Sequence, residues 1–517
     1  MTDRNDADFA GLAARRLKRL GARYRRRTRQ LDALLGGPKL KEECGVFGVI
    51  GTPDAAALTA LGLHALQHRG QEAAGIASFD GEQFHTERHL GLVSDNFSDA
   101  DTLHRVKGVA AIGHTRYSTQ GATILRNVQP LYADLDRGGI ALAHNGNLTN
   151  SRRLKSELVQ RGAIFHTTSD SELFLQLTAR SHQLSMVDKL IDALKQVEGA
   201  YALTVLTKDS LIGVRDPIGI RPLVLGALNG KAVLASETCA LDLIGAKFVR
   251  DIKPGEMVIC KAGGEVESRQ IFPPSSPARP CIFELIYFAR PNSIVDGNSV
   301  YELRKKLGKR LALEAPCEAD MVSPIPDSGV PAAIGFAQAS GLPFEQALIR
   351  SHFVGRTFIE PEQRIREAGV ARKHSPNRGA IEGKRIVLID DSIVRGTTSR
   401  KITQMLRNAG AKEVHMRIAC PPILYPDFYG IDTPSRDELI AGKMSVEEIR
   451  KEIGVDSLAF LSLDGLYEAF GKGPRDDSAP AFTDHCFTGD YPTRLTDQVE
   501  AQRSAMIEQL SFLAESS

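Results

Sequence analysis

The 517-residue chain contains no run approaching the ~18 apolar residues that a helical membrane span requires, so no such span is expected. Cysteine is scarce. Its seven copies (Cys44, Cys239, Cys260, Cys281, Cys317, Cys420, Cys486) are odd in number and include no close pair. A disulfide scaffold is therefore not expected, and a reducing, cytoplasmic setting is. Tryptophan is absent, which excludes nothing about function. Net charge is nearly absent too, at +2, but it is unevenly spread. Residues 1–43 hold twelve Lys/Arg against six Asp/Glu, and the remainder is slightly acidic. A nucleic-acid-binding body is not indicated.

What is present begins with length. A chain of this size is expected to form two or more domains. Residues 44–270 alternate short strand-like runs, such as Val46–Ile50, Ala110–Gly113, Ile140–Ala143 and Ala202–Leu206, with turns. Ala55–Gln67 and Ser171–Ala179 read as helices. The Pro- and Ser-rich stretch Ile271–Pro280 reads as a linker. Beyond it, helices and apolar strands alternate, which predicts a parallel α/β sheet. The expected domains are 1–43, 44–275, 281–470 and a C-terminal extension, 471–517.

Within the second half, Arg385 to Ser399 reads as a buried strand ending in two carboxylates. A small hydroxyl-rich turn follows and opens a helix whose face carries Ile402, Leu406 and Ala409, with Gly410 as its stop. Such a turn aims backbone N–H groups and the positive helix end at one place, which suits a phosphate. Asp390 and Asp391 stand where they can reach ribose hydroxyls or a hard cation. The run resembles the phosphoribosyl-diphosphate (PRPP) motif of type I phosphoribosyltransferases, a parallel-sheet fold. The resemblance assigns Asp390, Asp391, Ser392, Arg395, Gly396, Thr397 and Thr398 to PRPP. Pro324–Gly329 would form the loop near the diphosphate, and Val354–Ile359, running on to Asn377-Arg378, would form a mobile loop that brings Arg356 to the substrate. Mg²⁺, one per subunit, would sit near Ser328, Asp390 and Asp391.

The first half opens on Glu42-Glu43-Cys44-Gly45-Val46-Phe47-Gly48. Downstream lie His68-Arg69-Gly70-Gln71-Glu72, Gly113-His114-Thr115-Arg116-Tyr117, His144-Asn145-Gly146-Asn147 and Thr168-Ser169-Asp170-Ser171-Glu172. Together these resemble the class II glutaminases, N-terminal-nucleophile (Ntn) enzymes built as a four-layer αββα sandwich. By that resemblance Cys44 is the nucleophile and its own free α-amine the base. An amine with pKa near 8 beside a thiol near 8.5 exchanges a proton at little cost. Arg116 would clamp the glutamine carboxylate, Asp170 would hold its ammonium, and Gly70 would allow close approach to the backbone. Asn145 and Gly146 would form the oxyanion hole. His68, His114 and His144 read as structural hydrogen-bonders, since the amine already supplies a base.

A free amine at Cys44 requires removal of residues 1–43. The basic segment lacks the apolar core of a secretory signal, and Asp3, Asp6 and Asp8 are unlike a transit peptide. It is read as a propeptide, or as the product of a start codon placed too early.

A glutaminase joined to a PRPP site resembles the amidophosphoribosyltransferases, which open purine biosynthesis. The resemblance implies glutamine and PRPP as substrates, purine nucleotides as feedback inhibitors, and a homodimer or homotetramer. Two other readings are weaker. Ammonia sent to a sugar phosphate or to aspartate would need sugar-isomerase domains or an ATP-binding loop, and neither is present. A PRPP-sensing regulator would lack the nucleophile set. Some members of the family hold a [4Fe–4S] cluster on four cysteines. The matching positions here are Cys281, Asp427, Thr483 and Cys486, so no cluster is expected.

Overall fold

The computed structural model describes residues 44–117, 124–273, 278–351, 374–431 and 435–500. The basic segment 1–43 and the expected loop residue Arg356 lie outside the described residues.

The strand-like runs of the first half become β1 (Gly45–Ile50), β2 (Ala73–Phe79), β3 (Phe84–Leu90), β4 (Ala110–Arg116), β5 (Leu131–Leu135), β6 (Gly138–Leu148), β7 (Gly199–Thr207), β8 (Leu211–Arg215), β9 (Val224–Leu228), β10 (Lys231–Ala235), β11 (Lys247–Asp251), β12 (Glu256–Cys260) and β13 (Val266–Gln270). They form two antiparallel sheets, ordered β11-β9-β10-β1-β4-β2-β3 and β13-β12-β8-β7-β6-β5. Strand side chains alternate between faces, and β1 shows why both of its faces are apolar. Val46 and Ile50 point into the space between the sheets, with Ile112, Ala143 and Leu206. Phe47 and Val49 point outward. There they meet α1 (Ala55–Ala65) and the short helix Thr238–Leu243. Three further helices cover the six-stranded sheet: α2 (Ser151–Gln160), α3 (Glu172–Arg180) and α4 (Met186–Leu194). The result is the expected αββα sandwich.

The second half holds α5 (Val300–Glu314), β14 (Met321–Pro324), α6 (Val330–Ser340), β15 (Arg385–Asp390), α7 (Thr397–Asn408), β16 (Glu413–Ile418) and β17 (Ser457–Phe460). The sheet runs β14-β15-β16-β17 and is parallel throughout. β15 is a central strand, and Ile386 to Ile389 are fully buried, as an apolar run covered on both faces should be. Leu388→Ala should destabilise this half by about 2–5 kcal/mol, read as a shift in its denaturant midpoint.

Two features tie the halves together. Arg69 of the first half is fully buried and bonds Glu237 and Glu284, its Nη2 lying 2.5 Å from Glu284 Oε2. Glu284 opens a π-helical turn, Glu284–Phe288, of the second half. The last described segment also returns to the first domain. Asp497 accepts from Ser151 Oγ and from the N–H groups of Arg152 and Arg153, so it caps the start of α2. Thr496 donates to Glu198 at 2.8 Å.

Candidate active sites

β1 and β4 pair with Gly45 opposite Thr115, and this register sets Cys44 beside the end of β4. The Cys44 thiol donates to the Tyr117 carbonyl at 3.4 Å. Burial pushes the thiol above its ordinary pKa, while the nearby Arg116 cation pulls it back and Asp170 and Glu72 oppose that pull. A buried thiol of this kind needs a base beside it before it can attack. Arg116 is itself buried, and its Nη1 donates to the Asn127 carbonyl at 3.1 Å.

Asn127 is a residue that motif reasoning missed. Its side-chain oxygen accepts the Thr168 N–H at 3.0 Å, and its amide donates to Thr168 Oγ1 at 2.8 Å. It therefore fastens Arg116 to the loop that carries Asp170. Asp170 accepts the N–H of Leu148 at 2.9 Å, at the end of β6. Asn127 has no signal of its own in sequence, because its role depends on partners 11 and 41 residues away.

Asn145 and Gly146 lie on β6. The Asn145 side chain is 1 % exposed, and neither its oxygen nor its nitrogen has a hydrogen-bond partner among the described residues. A buried amide left unpaired costs about 1–3 kcal/mol, so its persistence points to a ligand that completes it. Gly146 has φ of 135°, a backbone geometry that a side chain would strain. A Cβ there would also sit 2.2 Å from the Ala200 carbonyl. Gly70 packs closely on a neighbouring strand. A Cβ on it would lie 2.6 Å from the Arg116 carbonyl carbon, so the tight approach is between Gly70 and the Arg116 backbone.

The histidines are engaged structurally. His114 Nε2 is 3.1 Å from the His144 carbonyl, and burial pushes its pKa down to about 3. Burial lowers His144 as well, and its Nδ1 meets Ser171 Oγ at 3.0 Å. His68 Nε2 contacts Glu237 at 2.7 Å.

The second site is a crevice lined by Tyr287 and the continuous run Asp390–Ser399. Asp390 closes β15, and its Oδ1 accepts the Asp391 N–H at 3.0 Å. Asp391 accepts from Ser392 Oγ at 2.6 Å. Gly396, with φ of 74°, turns the chain into α7, so Thr397 and Thr398 open that helix at the crevice. Ile402, Leu406 and Ala409 are buried and Gly410 follows with φ of 95°, as the sequence predicts. Arg395 pairs with Glu438 at 2.7 Å. Ser328 is half-buried in the loop after β14, where the Ile325 N–H donates to the Ile389 carbonyl at 2.8 Å and so brings that loop beside Asp390. Asp327 in the same loop pairs with Arg350.

Arg304 of α5, also missed in sequence, holds the turn that carries the crevice residue Tyr287. It is buried, donates to the carbonyls of Leu285 and Ala289, and is lowered to about 10 by burial, with Asp391 opposing that shift. Among the described residues no group of three or more His, Cys, Asp or Glu side chains forms a metal cage. Asp390, Asp391 and Ser328 nevertheless make an oxygen-only set, which fits Mg²⁺ held partly through substrate oxygens.

These two sites on these two folds define a glutamine amidotransferase joined to a phosphoribosyltransferase. Family models agree, a glutamine amidotransferase domain matching residues 114–243 and a phosphoribosyl transferase domain residues 293–426. The chain is 58% identical over 488 residues to the amidophosphoribosyltransferase of Rhizobium etli, covering 93% of this chain and 98% of that protein. It is 49% identical to the Bacillus subtilis amidophosphoribosyltransferase, covering 88% and 95% of the two chains. The solved B. subtilis glutamine PRPP amidotransferase, complexed with ADP and GMP, superposes with a TM-score of 0.82 at 48% identity, over 87% of this chain and 98% of that one. The chain belongs to the amidophosphoribosyltransferases, glutamine-dependent pentosyltransferases of purine biosynthesis. No helix among the described residues is long and apolar enough to cross a membrane.

Proposed function

We propose that residues 44–275 hydrolyse glutamine and residues 281–470 pass its nitrogen to PRPP, giving 5-phosphoribosylamine, glutamate and diphosphate. With residues 1–43 removed, the α-amine of Cys44 takes the thiol proton and the sulfur adds to the substrate carboxamide carbon. The developing oxyanion is held by the Asn145 side-chain amide and the Gly146 N–H. Ammonia leaves, and water cleaves the thioester to glutamate. Arg116 and Asp170 hold the carboxylate and ammonium of the substrate, and Gly70 lets the substrate approach the backbone closely.

At the second crevice Asp390 and Asp391 orient the ribose, while Ser392, Arg395, Gly396, Thr397 and Thr398 cradle the 5-phosphate with backbone N–H groups and hydroxyls. Arg356 completes the site on closure. Mg²⁺, near Ser328, Asp390 and Asp391, would neutralise the leaving diphosphate. As the C1–O bond to diphosphate breaks, ammonia forms the new C1–N bond and loses a proton. Ammonia that reached bulk water would be protonated, so a dry passage between the sites and loop closure over PRPP belong to this reading. Purine nucleotides act as feedback inhibitors. The protein is cytoplasmic and assembles as a homodimer or homotetramer.

The observation that carries the reading is the buried, unpartnered Asn145 amide on the strand that also holds Gly146. Glutamate release should rise sharply when PRPP is added, and release indifferent to PRPP would count against coupled sites. Asn145→Ala should lower the kcat of glutamine hydrolysis by about 10²–10³-fold. Its glutamine KM should change little, as measured by glutamate release under saturating PRPP.

A further inference from the structure

The positions that match the family's cluster cysteines do not fit an iron–sulfur cluster. Cys281 and Cys486 are buried thiols, but the other two positions carry groups engaged elsewhere. Thr483 donates its hydroxyl to the Arg279 carbonyl at 2.5 Å. Asp427 Oδ1 accepts the N–H groups of Tyr429 and Ile431 at 2.7 and 2.8 Å, and its Oδ2 lies 2.8 Å from His485 Nε2. The His485 ring is flanked by Tyr429 and Tyr491, with centroids 5.2 and 4.9 Å away. Both members of the pair are almost fully buried.

Burying a carboxylate is not by itself a gain in stability, because its desolvation offsets the contacts it makes. Its location indicates another use. Asp427 sets the turn through Phe428, Tyr429 and Gly430, and that turn is pressed onto the glutaminase site. The Phe428 carbonyl accepts from Asn147 Nδ2 at 3.1 Å. The Tyr429 carbonyl accepts from Arg221 Nε at 3.1 Å. Gly430, with φ of 122°, has no side chain to hold it off. The place a Cβ would occupy is 3.1 Å from both Cα and the carbonyl carbon of Gly146. The residues touched are Gly146 and its neighbour Asn147, on the strand assigned to the oxyanion hole.

We propose that Asp427 and His485 are positioning residues for glutamine hydrolysis, a buried contact that seats the Phe428–Gly430 turn against Gly146 and so aligns the oxyanion hole. The inference rests on the reading of Asn145 and Gly146 as that hole. Losing the pair lets the turn relax, and a shift of about 1 Å at a reacting centre can cost 10²-fold. Asp427→Ala removes both the charge and the acceptor of the turn. His485→Gln removes the ring that lies against the Asp427 carboxylate and between Tyr429 and Tyr491. Both variants should lower the kcat of glutamine-dependent phosphoribosylamine synthesis about 10- to 100-fold. The glutamine KM should stay within about twofold, since Arg116 and Asp170 are untouched, and ammonia-dependent synthesis should also stay within about twofold. Asp427→Asn, which keeps an oxygen for the Tyr429 and Ile431 N–H groups, should fall between Asp427→Ala and the parent.

The full-length mature enzyme is assayed with glutamine and with ammonium chloride in parallel, alongside Asn145→Ala. Equal loss with both nitrogen donors in Asp427→Ala and His485→Gln would overturn the proposal in favour of a purely structural pair. Unchanged rates with both donors would overturn it as well. If Asn145→Ala itself leaves glutamine turnover intact, the oxyanion-hole assignment fails instead. If Asn145→Ala is slow and the Asp427 and His485 variants are not, the assignment stands and the positioning role fails.

Discussion

Cys44→Ala should lower glutamine-dependent synthesis by about 10⁴-fold or more, while ammonia-dependent synthesis stays within about twofold of the parent. The asymmetry follows from the two-site layout. The nucleophile serves only the release of nitrogen. At high pH, with ammonia supplied from solution, the PRPP crevice needs nothing from Cys44. A 10⁴-fold loss corresponds to about 5.4 kcal/mol of transition-state stabilisation. The same split should appear in protein that retains residues 1–43. There the nitrogen of Cys44 is an amide and cannot accept a proton. The thiol, raised by burial, would have no base to remove its proton. Mass spectrometry of the purified chain fixes its first residue, and parallel assays with the two donors check the consequence. Loss of both activities in Cys44→Ala would contradict separate sites. Full glutamine activity in uncut protein would contradict the α-amine as base.

The second large effect is expected at the other end of the molecule. Asp390→Asn combined with Asp391→Asn should reduce synthesis with either donor by about 10²–10⁴-fold. Both side chains are nearly buried at the mouth of the crevice, so their charges act in a partly desolvated site where a cation or ribose hydroxyl is strongly held. Initial rates measured against Mg²⁺ and PRPP concentration check this. The pair should also abolish the rise in glutamate release that PRPP causes, because that rise requires an occupied crevice. Retained ammonia-dependent synthesis would remove Asp390 and Asp391 from the assigned site.

The second crevice was legible in sequence because it is written in consecutive residues, whereas the residues assigned to the first site (Cys44, Gly70, Arg116, Asn145, Gly146, Asp170) are scattered and were read from a resemblance. Asp390 to Ser399 line one crevice because a strand, a turn and a helix N-terminus follow one another without interruption. Cys44 before an apolar strand is unremarkable alone; the segments downstream singled it out, and the register of β1 on β4 sets it beside Arg116 and Tyr117. The strands were legible as apolar runs, but their lengths were not. Ile140–Ala143 extends to Gly138–Leu148, since pairing with β7 carries the ladder through Asn145 and Gly146. Side chains whose partners lie far away were invisible. Asn127, Arg304 and the Arg69–Glu284 pair gain meaning only after the chain is folded, 215 residues separating the last two. The close approach of Gly70 to the Arg116 backbone, 46 positions along the chain, likewise had no signal in sequence. Asp427 shows the same limit. As one letter it was a missing cysteine, and only the fold reveals what His485 makes of it.

The cap that Asp497 places on α2 has a consequence for how the molecule is made. Ribosomal synthesis delivers the amino-terminal domain first, and domains generally fold in that order. The αββα sandwich must therefore assemble with the first turn of one outer helix still open to water. Its closing carboxylate emerges more than three hundred residues later, after the parallel sheet has been built. A chain released early would present two formed halves without their final clasp, and proteases would find that unfinished helix end first.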